Sequence, residues 1–235
     1  MVVGDPKIAR LLEHPALWRG RSAAARAGLP SGFAALDEHL PDKGWPRTGL
    51  IEILVSRFGS GELTVLMPAL AALTAAAAAR WCVWVAPPLV PFAPALASRG
   101  VVLDRIAVVG GARHPLDHPT KSRSPLQMTF SALQEARFRG DPGMWAFEQA
   151  LGSGACDAVL GWVRQPKPRD IRRLQLAAER GRTLGVLFRP RRAARESSAA
   201  MLRLSVEPLS AGMRLTILKG RTARRDALDL PWPGR

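Results

Sequence analysis

The 235-residue sequence predicts an α/β fold, with a mostly parallel sheet flanked by helices and finished by a C-terminal antiparallel hairpin. Three observations carry that expectation. An apolar, β-branched run, Leu50–Val55, meets a glycine-containing loop and then a long apolar stretch, Leu63–Ala79. That is the strand, loop and helix order of a P-loop-type nucleotide-binding core. Further strand-like segments then alternate with helical ones at the spacing of parallel βαβ units. Finally, Met201–Val206 and Met213–Leu218 are separated by a turn around Ser210-Ala211-Gly212, which reads as a hairpin extending the sheet.

Taken in order, residues 1–28 hold a short helical pattern at Lys7–Glu13 and an Ala/Arg/Gly segment at Arg19–Gly28. Their amphipathic periodicity is weak, so they read as an N-terminal arm. In residues 29–49, Ser31 is placed to cap a short helix carrying Phe33, Leu36 and Leu40, before turns at Lys43–Pro46 and Thr48-Gly49. Pro68 lies inside the apolar stretch after the loop. A proline costs little in a first turn and much in a helix interior, so the helix is expected to begin near Met67 instead of Gly61.

Trp81–Val85 is the second expected strand, followed by a segment with four prolines over Ala86–Pro94, a short helix over Ala95–Arg99 and a third strand at Arg105–Val109. Residues 111–143 show no sustained period apart from a short helical pattern at Leu126–Arg137, and read as a long mobile insertion. A helix over Met144–Leu151 is ended by Gly152 and Gly154. Ala158–Val163 is the fourth strand, Arg169–Arg180 a helix closed by Gly181, and Leu184–Phe188 the fifth strand. The core therefore spans residues 29–219, with 220–235 as a basic C-terminal tail.

Composition narrows the function classes. The chain has the length of one ordinary domain with arms, and 47% of its residues are hydrophobic, which argues against global disorder. Leu63–Ala79 contains Pro68 and is followed at once by Arg80, so no membrane span is expected; the N-terminus lacks the pattern of a secretion signal. The expected location is cytoplasmic. Cys82 and Cys156 belong to no C-x-x-C pair and read as buried small side chains. His114 and His118 are broken up by Pro115 and Pro119, which removes the helix that a metal pair at this spacing requires. The net charge is +15, and residues 164–235 hold 18 Lys and Arg against 6 Asp and Glu, leaving only +3 for the preceding 163. Such a basic region fits a phosphate-rich partner, or equally a solvated surface in a chain rich in Arg, Ala, Gly and Pro.

The loop itself has the length but not the chemistry of a phosphate site. A working loop reads G-x-x-x-x-G-K-[ST], with backbone N–H groups around the phosphates, a lysine on the β/γ-phosphates and a hydroxyl on magnesium. Between Ser56 and Gly61 the spacing is kept, but the lysine position is Glu62 and the hydroxyl position is Leu63. A carboxylate repels a triphosphate, and leucine cannot ligate a cation.

The order of parts resembles a RecA-fold recombinase core, and more specifically the RecA-like ImuA proteins of bacterial translesion synthesis. The resemblance covers roughly residues 29–219, through LPSGFAALDEHLPDKGWPRTGLIEIL, WCVWVAPPLVPFAPALASRGVVLDRIAVV, ALGSGACDAVLGWV and RRLQLAAERGRTLGVLFRP. Laid against a working recombinase, it puts the catalytic glutamate position at Pro88 and the magnesium-associated aspartate position at Trp162. With Glu62 and Leu63, four site positions then carry the wrong chemistry, so neither ATP hydrolysis nor a cofactor is expected.

What the resemblance implies is an adaptor in a damage-induced, error-prone DNA-synthesis complex. Its partners would be ImuB, a catalytically inactive Y-family polymerase relative, and an error-prone replicative-type DNA polymerase, with RecA and single-stranded DNA as further candidates and no membrane. Arg189, Arg191, Arg192 and Arg195 fall where recombinases keep a mobile DNA-binding loop; with Arg221, Arg224 and Arg225 they are candidates for following a phosphate backbone. Leu228, Leu230 and Trp232 form an apolar end that reads as a partner-docking peptide. Two other readings stay open: a SulA-like cell-division inhibitor, which also keeps a RecA-like core without ATPase residues, and an active RecA-type recombinase.

Overall fold

A computed structural model describes residues 28–110, 141–163, 165–220 and 227–232. The expected arm before Gly28, the helical pattern at Leu126–Arg137, and Arg221, Arg224 and Arg225 lie outside the described residues. The chain enters through a short antiparallel bridge between Leu29 and Trp45, which brackets helix α1 (Ala34–Asp37). Ser31 does not cap this helix, whose N-cap is Phe33 without a side-chain bond; it closes the turn before it, its Oγ accepting from the Phe33 N–H at 3.1 Å and its own N–H donating to Asp37 Oδ1 at 3.0 Å. Leu36 and Leu40 are buried, and the Trp45 indole N–H donates to the Val65 carbonyl, tying this lead-in to the core.

Strand β1 (Gly49–Val55) is buried along its whole length. After it come the loop, a 3-10 turn at Thr64–Leu66 and helix α2 (Met67–Thr74), with Pro68 in its first turn. The helix starts where the proline allows and not at the glycine loop. The next elements are β2 (Trp81–Val85), α3 (Ala93–Ala97), β3 (Ile106–Val109), α4 (Pro142–Gly152), β4 (Cys156–Gly161), α5 (Pro168–Gly181) and β5 (Leu184–Pro190). A 3-10 segment at Arg191–Arg195 then leads into β6 (Leu202–Leu209), β7 (Gly212–Lys219) and β8 (Ala227–Pro231).

Together the strands form one sheet in the order β3-β2-β4-β5-β1-β6-β7-β8. The pairs from β3 across to β6 are parallel, and β6-β7-β8 is an antiparallel meander. The expected mixed architecture and hairpin are therefore present. The sheet also extends beyond Lys219, where a tail was expected, because Leu215 and its neighbours on β7 pair with Leu228 and its neighbours on β8.

Alternation along the strands builds two apolar layers. Ile51, Ile53 and Val55 face the layer that holds α2, Trp45, Trp84 and Phe188. Leu50, Val83 and Val159 face α4 and α5, whose Phe147, Leu151, Ile171 and Leu174 are fully buried. At Gly181 the end of α5 approaches α4 so closely that a Cβ would lie 1.9 Å from the Leu151 carbonyl oxygen. Both cysteines are free and buried. Burial pushes the Cys82 thiol up to about 12 and raises Cys156 as well, so both stay protonated at neutral pH and act as small apolar groups.

One charged cluster interrupts this pattern. Glu52 is fully buried at the centre of β1, between Arg189 on β5 and Arg203 on β6. Its Oε1 accepts from Arg189 Nη1 at 3.1 Å and its Oε2 from Arg203 Nε at 2.5 Å. Arg189 Nη2 reaches Glu196 Oε2 at 2.6 Å, while Arg203 donates to the carbonyls of Ala193 and Glu196. Two arginines and two glutamates balance in charge, and the guanidinium donors pin the segment between β5 and β6 onto β1. Replacing Glu52 by Ala leaves the buried Arg203 without its carboxylate and Arg189 with Glu196 alone; the expected loss is about 3–5 kcal/mol of unfolding free energy, read from the shift of a urea transition.

Candidate functional site

The C-terminal ends of the parallel strands are where open α/β sheets place their ligand sites, and the altered loop lies there. Between Ser56 and Gly61 the chain turns so that the N–H groups of Gly59 and Ser60 converge on one point. The Glu62 carboxylate occupies it: Oε1 accepts from Gly59 at 2.8 Å and Oε2 from Ser60 at 2.9 Å. Converging backbone amides of this kind bind anions. Here the anion is the protein's own side chain, and Glu62 is only 3% exposed. The sequence reading expected this carboxylate to repel a ligand; in the structure it also takes the hydrogen bonds a ligand would use.

The neighbouring positions are equally committed. Leu63 packs against the core beneath the loop. Gly61 has φ +100°, and a Cβ there would lie 2.4 Å from the Trp232 ring, so glycine serves both the turn and the seat of that tryptophan. Ser56 is exposed at the end of β1, and Pro88 is exposed in the loop after β2. Trp162, just past β4, is buried and stacked on Phe188, with ring centroids 4.5 Å apart and planes 11° from parallel; Trp84 lies 5.8 Å away.

The candidate DNA-binding arginines divide. Arg189 is withdrawn into the Glu52 cluster and 4% exposed, which corrects its assignment to a phosphate-contacting surface: a buried guanidinium already paired with Glu52 and Glu196 is not available to a strand of nucleic acid. Arg191 pairs with Glu207 at 2.8 Å on the surface. Arg192 and Arg195 are exposed. The candidate docking peptide is corrected as well. Leu228 and Leu230 belong to β8, Leu230 is buried, and Leu228 and Trp232 pack against the core, so these side chains are spent on their own sheet. The bidentate Arg214–Asp229 pair, at 2.6 and 2.7 Å, holds β8 to β7 across the exposed face; it lowers the Asp229 carboxyl and raises Arg214 from their ordinary values.

Two features had no place in the sequence reading. One is the Glu52 cluster, whose only trace was a glutamate in the middle of an apolar strand. The other is a cleft of about 650 Å³ between the segments that follow β4 and β5, bordered by Phe58, Trp162, Lys167, Phe188, Arg192 and Glu196. Its walls come from segments far apart in the chain, so no local pattern announces it.

Fold and site together define a mixed α/β protein with a mostly parallel sheet, whose loop after β1 is closed by its own carboxylate. No protein-family model matches the chain. It is similar to the cell division inhibitor SulA of Photorhabdus laumondii subsp. laumondii, with 30% identity over 122 residues, 52% of this chain and 54% of that protein. It is also similar to SulA of Edwardsiella piscicida, 38% identical over 58 residues, 25% of this chain and 34% of that one. The chain thus spans about half the length of the first relative and a third of the second. Among solved structures, SulA from Pseudomonas aeruginosa aligns at 20% identity and a TM-score of 0.40, covering 60% of this chain and 97% of that one. No described helix is long and apolar enough to cross a membrane.

Replacing Glu62 by Ala strips two loop N–H groups of their acceptor. The expected cost is about 1–3 kcal/mol, together with faster hydrogen exchange at the Gly59 and Ser60 amides, read by NMR or mass spectrometry.

Proposed function

We propose that the protein is a non-catalytic interaction protein related to SulA, which works by holding a partner and not by turning over a nucleotide. The observation that carries this reading is the Glu62 carboxylate seated on the Gly59 and Ser60 amides. A triphosphate entering the loop meets a buried negative charge and finds those two donors already engaged. Leu63, Pro88 and Trp162 offer no group to hold a metal or orient water. The strand order β3-β2-β4-β5-β1 with this loop after β1 supports a RecA-like core as the scaffold that has been retained.

The SulA relatives, named as cell division inhibitors, support a division-inhibitor role; the partner this reading proposes is the tubulin-like division protein. A second reading, the ImuA-type adaptor of error-prone DNA synthesis, is favoured by a different observation. The basic stretch from residue 164 onward carries a net +12, and Arg192 and Arg195 stay exposed in the 3-10 segment after β5. In that reading the partners are the ImuB-type polymerase relative and an error-prone replicative-type polymerase.

Affinity purification of the full chain from DNA-damaged cells separates the two. The division-inhibitor reading expects the tubulin-like protein to be recovered, and induced expression to give undivided, filamentous cells. Recovery of a polymerase relative with normal division would transfer the assignment to the adaptor. On the chemistry, Glu62→Lys is expected to show no ATP turnover above the wild-type background in a phosphate-release assay, because the other three positions are unchanged; appreciable turnover in that single variant would overturn the non-catalytic reading.

A further inference from the structure

The cleft between the segments after β4 and β5 combines an apolar floor with a cationic rim. Its volume, about 650 Å³, falls in the range of real ligand sites. The floor is lined by the Trp162–Phe188 stack with Phe58, Val163 and Pro190. Lys167 and Arg192 are exposed on the rim, and neither side chain has an ion-pair partner among the described residues. The rim's carboxylate, Glu196, is engaged by Arg189. Trp162 Nε1 and Arg189 Nε, on two residues that line the cleft, lack acceptors among the described residues. The site therefore favours a ligand that is apolar at its centre and anionic at its edges.

Two ligand chemistries share that description, and the aromatic geometry separates them. A nucleobase binds by stacking on a free ring face. Here Trp162 and Phe188 are stacked on each other and are only 8% and 1% exposed, so no broad face is left for a base. An aliphatic or aromatic side chain needs only an apolar depression to leave water. We infer that the cleft receives an acidic peptide segment of a partner protein, with a leucine- or phenylalanine-type side chain on the Trp162–Phe188 floor and flanking carboxylates on Lys167 and Arg192. This rests on the partner-binding reading above and names the surface through which it acts.

The test uses the purified full chain and a phage-displayed library of random dodecapeptides, selected on the wild type and counter-selected on the Lys167→Glu, Arg192→Glu double variant. Both altered side chains are exposed, so the variant is expected to melt like the wild type by circular dichroism. Enriched peptides should join Asp or Glu to Leu, Ile, Phe or Trp. Their synthetic, fluorescein-labelled forms should bind the wild type about tenfold or more tightly than the double variant in anisotropy titrations, with Lys167→Gln, Arg192→Gln in between. Peptides without acidic residues, equal binding to wild type and variant, or no peptide that distinguishes them would each overturn the inference. So would labelled oligothymidine that binds the wild type and loses affinity in the double variant, since that assigns the cleft to nucleic acid. Failure here with a partner still recovered from cells removes the cleft and leaves the partner-binding reading; a rim-dependent peptide with no partner recovered does the opposite.

Discussion

Glu52 sits where an apolar side chain would be the ordinary choice, in the middle of the most buried strand of the sheet, and it is answered by one arginine from each neighbouring strand. Taking these groups out of water costs several kcal/mol per ion, and their attraction offsets that only when every donor and acceptor is placed. The arrangement nearly meets this condition: the carboxylate uses both oxygens and Arg203 donates in three directions, while Arg189 leaves only Nε unpaired. Such a cluster contributes little net stability over a well-packed apolar core. What it supplies is position, because the guanidinium of Arg203 fixes the carbonyls of Ala193 and Glu196. The segment from Arg191 to Glu196 is thereby held over β1, and that segment is one wall of the cleft.

The loop after β1 applies the same logic with a single carboxylate. Backbone amides that converge need an anion or water to accept from them. Glu62 meets the requirement from within the chain, and Trp232 covers Gly61 from the end of the sheet. The C-terminal strand and the altered loop are consequently coupled in space. A change at Gly61 would disturb both the φ +100° turn and the tryptophan resting on it.

Much of the scaffold was legible in the sequence, for physical reasons that can be named. Strands such as Trp81–Val85 are short, apolar and bounded by turn residues, and Pro68 marks a helix start because its ring is tolerated only in a first turn. The site was legible only where local chemistry decides it, as at Glu62 and Leu63. Arg189 was misplaced because a sequence gives the charge of an arginine but not the strand opposite. Its partner Glu52 is 137 residues away, and only the parallel pairing of β1 with β5 joins them. Leu230 was misplaced for a related reason: an apolar run after a basic stretch is consistent with a docking peptide or with an edge strand, and the choice depends on whether β7 offers a free edge.

That edge bears on how the chain divides its surfaces. β8 pairs with β7 and Trp232 closes over the loop, so the C-terminal apolar side chains are consumed in cis. Lys167 and Arg192 are set on either side of an apolar floor by two segments with different anchors. Lys167 stands at the start of α5, where its N–H donates to Asp170 at 2.9 Å, and Arg192 rides on the stretch pinned by the Glu52 cluster. A cleft rim of this kind is a surface whose geometry does not depend on a bound ligand. Fixing one rim residue by a helix cap and the other by a buried ion cluster provides such a surface, and it explains why the chain keeps an ionic cluster at a position where apolar residues would pack at least as well.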